Sequence, residues 1–110
     1  MKKEIKTYFE DIRFSIKRIV VHVKDINSFS DFKSSYTVYD AVERRVAIIN
    51  EAMWQINKID TTVAFTDKTK IIGLRHILTH DYDLVSADII WTILQNNMSV
   101  LKEETDNYLK

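Results

Sequence analysis

An arginine, a histidine and a tyrosine gather in the run Arg75-His76-Ile77-Leu78-Thr79-His80-Asp81-Tyr82, at R-x4-H-x-Y spacing. These types suit phosphodiester chemistry. Arginine brings a permanent charge and a donor fork matched to phosphate oxygens, and histidine exchanges protons near neutral pH. In RNA cleavage without a metal, the 2′-hydroxyl attacks its neighbouring phosphate while one group removes the hydroxyl proton and another protonates the leaving oxygen. His80 could serve in either transfer, and Arg75 could stabilise charge developing on the phosphoryl oxygens. The phenol of Tyr82 is a usable nucleophile when a base is near. Taken alone, the spacing also fits a helix end whose arginine and histidine are solvated or cap carbonyls, followed by a buried tyrosine with a bonded hydroxyl.

The surrounding pattern is helical. With no proline and a single glycine, the chain lacks the punctuation that separates short strands. Ile5, Phe9, Ile12, Ile16, Ile19 and Val23 recur at steps of four and three, predicting a first helix from about residue 3 to 25. Val38, Val42, Val46, Ile49, Met53 and Ile56 predict a long helix across the middle. Between the two, Ser28-Phe29-Ser30-Asp31 reads as a capped turn, with Ser28 accepting a hydrogen bond near Asp31. Asp67 reads as the N-cap of a third helix carrying Ile71, Leu74 and Leu78. A fourth stripe, Ile90, Leu94, Met98 and Leu101, begins near Ser86, and its acidic tail of Glu103, Glu104 and Asp106 is expected to fray. The β-branched stretch from Thr61 to Thr66 has no partner strand and reads as a loop. The expected fold is all-α, an up-and-down bundle of four to five helices.

Helix geometry then constrains the chemistry. At about 100° per residue, Arg75 and Tyr82 share a face, whereas His80 is turned away from Arg75 by about 140°. Cooperation between Arg75 and His80 needs either a helix that loosens near Asp81 or a second copy opposite. A two-fold dimer would bring two arginines and two histidines into one cleft. Gly73, one turn away, costs roughly 1 kcal/mol relative to alanine in a helix, and so suggests close approach of another backbone or a ligand. Ordinary packing within one chain is the competing explanation.

Composition sets the limits. The 110 residues are read as one domain, 1–110. Sixteen basic and sixteen acidic residues give no net charge, so any contact with a polyanion must use a local patch. Without cysteine there is no disulfide framework or thiolate site, and the amphipathic N-terminus has no continuous apolar run of signal-peptide or membrane-spanning type. The chain is therefore expected to be soluble and cytoplasmic, with no membrane association.

Three ordered segments resemble the HepT-like proteins of the HEPN superfamily, toxin components of toxin-antitoxin pairs. Tyr39 to Ala52 is similar to the helix A-V-x-R-x-x-x-x-I-G-E-A, and Ile72 to Tyr82 to I-x-G-x-R-N-x-x-x-H-x-Y. Val85 to Trp91 is similar to V-D-x-x-x-x-W. Asn50 departs from the usual glycine, His76 from a frequent asparagine, and the connection before Ile71 lacks the common proline-containing stretch. The resemblance implies a HEPN-like two-fold dimer acting as a metal-independent RNA endonuclease, with Arg75 and His80 catalytic in its cleft. It implies a minimal nucleotidyltransferase antitoxin as partner, able to transfer AMP to Tyr82. Attached AMP would add charge and bulk beside the RNA path. No cofactor is implied.

Other residues are weighed against plainer roles. Arg44 and Glu51 match positions of the family helix, so Arg44 is a candidate RNA contact and Glu51 a candidate partner orienting an arginine, although exposed pairs contribute little. His76 is a further supporting candidate. His76 and His80, one turn apart, have a spacing that can chelate zinc, but Ile77 stands where a zinc protease needs glutamate, and no metal is expected. Lys17, Arg18 and Arg45 could add local positive charge. His22, among valines, reads as partly buried, and Trp54 and Trp91 as packing residues. Two other functional classes remain: a non-catalytic subunit that binds a nucleotidyltransferase and accepts AMP on Tyr82, and a helical oligomerisation module without chemistry.

Overall fold

The first apolar stripe is buried along one side of α1 (Lys3–His22), where Phe9 and Ile12 are wholly covered. The computed structural model describes residues 2–80 and 84–110, and for 75–80 and 84–86 the backbone alone. Five helices follow α1: α2 (Phe29–Ser34), α3 (Tyr36–Ile59), α4 (Lys68–His80), α5 (Leu84–Asn96) and α6 (Met98–Tyr108). The described residues contain no strand, and none of their helices is long and apolar enough to cross a membrane.

The 24-residue α3 is the axis of the bundle. Its stripe of Val42, Val46, Ile49, Met53 and Ile56 is buried, and at 1.5 Å per residue the helix runs most of the molecule's 41 Å length. Helix α1 lies along it, α4 packs on another side, α6 leans on α1, and α5 joins α2, α3, α4 and α6. Burial follows the expected stripes because helical steps of three and four put those residues on one face.

Two elements differ from their sequence-based description. The turn after α1 is the start of a helix: Ser28 Oγ accepts the Asp31 N–H at 3.1 Å, as its capping pattern predicts, and the six residues of α2 follow. Phe32 anchors this short helix, fully buried against Trp91 and Tyr39 with ring centroids 5.4 and 5.6 Å away. The fourth stripe is shared by two helices. At Asn97 the backbone leaves helical values (φ −123°, ψ −21°), yet its N–H still reaches Ile93 O at 2.9 Å and its carbonyl still accepts from Leu101 at 3.1 Å. This bend preserves the phase of Ile90, Leu94, Met98 and Leu101, so apolar spacing cannot reveal it.

The acidic tail does not fray. Asp106 takes Arg13 Nε at 3.2 Å and Lys102 Nζ at 2.9 Å, while the Glu104 carboxylate accepts both the N–H and the hydroxyl of Thr66 at 3.1 Å. The hydrogen bond from Lys102, with a smaller contribution from Arg13, holds the Asp106 carboxyl below the usual carboxylate range. Arg13 and Thr66 lie far off in sequence, on α1 and in the loop before α4. That loop, Thr61 to Thr66, is irregular as expected, and it drops Val63 and Phe65 into the core.

Phe9 joins the loop to both terminal helices, with Tyr108 stacked at 4.6 Å and Phe65 at 5.5 Å. Phe9→Ala should therefore cost about 3–5 kcal/mol in a denaturant titration. A loss below about 1 kcal/mol would show that these elements do not depend on that ring.

Candidate functional site

The segment that carries the motif is anchored at its beginning. Asp67 directly precedes α4, and its carbonyl accepts the Ile71 N–H at 3.0 Å, the first helical bond expected of an N-cap position. Ile71 and Leu74 are buried and Ile72 partly so, which turns one side of α4 onto the core. Two polar links add to this packing. Asn50 Nδ2 donates to the Ile71 carbonyl at 2.8 Å, and Lys68 Nζ donates to Asn57 Oδ1 at 2.9 Å. Asn50 and Asn57 are seven residues apart, so both lie on one line of α3.

Helix α4 continues through position 80 without a break. The loosening expected near Asp81 falls outside the described residues, and by register positions 75 and 80 stand about 140° apart. The side chains of Arg75, His76 and His80, and all of Tyr82, lie outside the described residues. Gly73 is exposed, and a Cβ built on it would meet nothing within 4 Å. None of the described residues makes the close approach that its glycine suggests, because the residue faces away from the core.

Arg44 and Glu51 are both exposed on α3, where Glu51 accepts a hydrogen bond from Gln55 Nε2 at 2.9 Å. Their line on the helix is turned roughly 100–120° from the Asn50–Asn57 line, placing them beside the α4 contact and outside the core. His22 is half-buried and Trp91 packs on the core, as their settings predict. Among the described residues, no three metal-ligating side chains gather.

Sequence reasoning missed two features. Phe14 is 49% exposed with the Arg18 and Arg45 guanidinium carbons 4.8 and 5.6 Å from its ring centroid, an arrangement that breaks the inward rule for aromatic residues. Asn50 was visible only as a departure from a family pattern, and its polarity in the middle of an apolar stripe was the available signal.

The bundle is of the HEPN type. A tri-AMPylated HEPN toxin of Shewanella oneidensis, solved in complex with an MNT antitoxin, superposes with a TM-score of 0.73 over 96% of both chains at 23% identity. A family model described as ribonuclease HepT-like matches residues 12–107, and the chain belongs to this HepT-like family. A candidate RNase of Methanocaldococcus jannaschii is 29% identical over 96% of both chains. A second protein of that organism, named as a gamma-glutamylcyclotransferase and candidate RNase, is 32% identical over 94% of this chain, which spans 47% of its length.

Because none of the described residues crowds Gly73, Gly73→Ala should stabilise the isolated subunit by about 0.5–1 kcal/mol through helix propensity. The same variant should weaken an assembly built on that face. Denaturant titration and sedimentation over a dilution series read the two effects separately, and unweakened assembly would show that no second copy closes on Gly73.

Proposed function

We propose that the chain is the toxin component of a toxin-antitoxin pair, an RNA endonuclease that acts without a metal as a two-fold dimer. The observation that carries this reading is the unbroken α4. A straight helix turns Arg75 and His80 apart, so two copies facing each other are the simple way to direct a guanidinium and an imidazole at one phosphate. Gly73 is exposed with no described atom within 4 Å of its Cβ position, which supports close approach of a second helix.

In the proposed cleft, a His80 imidazole removes the proton from the RNA 2′-hydroxyl, whose oxygen attacks the adjacent phosphorus. The bond to the 5′-oxygen breaks, and an imidazolium returns a proton to that leaving group. Arg75 stabilises the charge on the non-bridging oxygens, an effect strengthened by exclusion of water between two copies. Arg44 and Glu51, exposed beside α4, would contact the RNA backbone or orient an arginine, with His76 as a further supporting candidate.

A second reading is favoured by the Shewanella neighbour, which is AMPylated and bound to an MNT antitoxin. Here the chain is a non-catalytic subunit for a minimal nucleotidyltransferase, and Tyr82 accepts AMP. Incubation with that partner and ATP should then give a mass gain that Tyr82→Phe abolishes. The two readings separate in an RNA assay, since only the first requires cleavage by the unmodified chain.

His80→Ala should lower RNA cleavage in chelator by roughly 10²–10⁴-fold while helical content and dimer persist. Arg75→Ala mixed with His80→Ala should recover part of the lost rate if the two groups act across subunits. Equal cleavage by His80→Ala and the parent would remove His80 from the mechanism.

A further inference from the structure

Asn50 is 1% exposed at the centre of α3, among the apolar side chains of the core. Its Nδ2 donates to the Ile71 carbonyl at 2.8 Å, whereas its Oδ1 is buried with no hydrogen-bond partner among the described residues. A typical intramolecular hydrogen bond adds less net stability than an orphaned buried acceptor removes. The amide is therefore a poor way to make the bundle stable. It is a good way to make one arrangement of the bundle unique.

The carbonyl it grips has a particular place. In an α-helix the carbonyl of residue 71 also accepts the N–H of residue 75, so Asn50 holds the peptide group from which the motif's arginine position is suspended. Contacts among Ile71, Leu74 and the α3 stripe tolerate sliding or rotation by a fraction of a turn. A short amide-to-carbonyl bond does not, since a displacement of about 1 Å takes the donor beyond hydrogen-bond range. A buried asparagine fixes register in paired helices in this way, at some cost in stability. The Lys68–Asn57 link cannot substitute for it, because it is only partly buried and ends on a flexible lysine.

We propose that Asn50 is a positioning residue: through Ile71 it sets the height and rotation of α4 on α3, and thereby where Arg75 and His80 stand in the dimer cleft. The inference rests on the nuclease reading for its consequence in catalysis, while the register itself can be measured independently. Asn50→Leu keeps approximate volume and removes both the bond and the orphaned oxygen. It should melt at or above the parent temperature and remain dimeric, yet its kcat for RNA cleavage should fall roughly 10- to 100-fold with KM little changed. Amide hydrogen exchange should quicken along α4 and stay unchanged in α1.

Full cleavage and unchanged α4 exchange in Asn50→Leu would overturn the proposal, as would a rate loss accompanied by a matching loss of melting temperature. Asn50→Ala serves if the leucine variant does not fold. It is expected to show the same kcat loss and α4-specific exchange, and exchange quickened equally in α1 would count against a register role. Should the parent chain cut no RNA, the nuclease reading falls. The exchange comparison would still decide whether Asn50 sets the register of α4.

Discussion

Each residue of a straight α-helix turns the chain by about 100°, and α4 keeps that turn from Lys68 to His80. An arginine and a histidine five positions apart on such a rod diverge. Convergence on one phosphate must then come from packing between helices or between copies, and the position of the rod matters as much as the identity of its residues. That position is set where α4 begins: the Asp67 carbonyl, the buried Ile71 and Leu74, and the two asparagines of α3 all act on its first half.

The anchorage depends in turn on α3. Because α3 is long and its buried stripe wide, it accepts α1 along one side and α4 along another, leaving Arg44 and Glu51 on a third, exposed line. One helix thus supplies core, register and candidate RNA contacts from different faces. The charge balance of the chain fits this division. Local positive surface can exist on a neutral protein where basic residues cluster. The half-exposed Phe14 between Arg18 and Arg45 is the clearest such region.

Helical periodicity was readable because it is a local property. The stripes of α1 and α3, the Ser28 cap, the loop from Thr61 to Thr66 and the start of α4 at Asp67 all follow from neighbours within four residues of one another. Features that depend on distant partners were not readable. The acidic tail looked ready to fray because Arg13 and Thr66, which hold Asp106 and Glu104, lie 93 and 38 residues away. The bend at Asn97 was hidden because it keeps the phase of the stripe on either side. Gly73 was legible as an oddity, but only the structure showed that no described residue fills the space beside it.

For the candidate site, the chain's order of residues nominates Arg75, His80 and Tyr82, since family signatures and side-chain chemistry are both written residue by residue. It was also sufficient to state the conflict between R-x4-H spacing and a regular helix. Whether the helix stays regular, which of its faces is covered and which peptide group Asn50 grips were decided by tertiary packing. These are properties of two helices together: a carbonyl on α4 and an amide 21 residues earlier become partners only after both helices have docked.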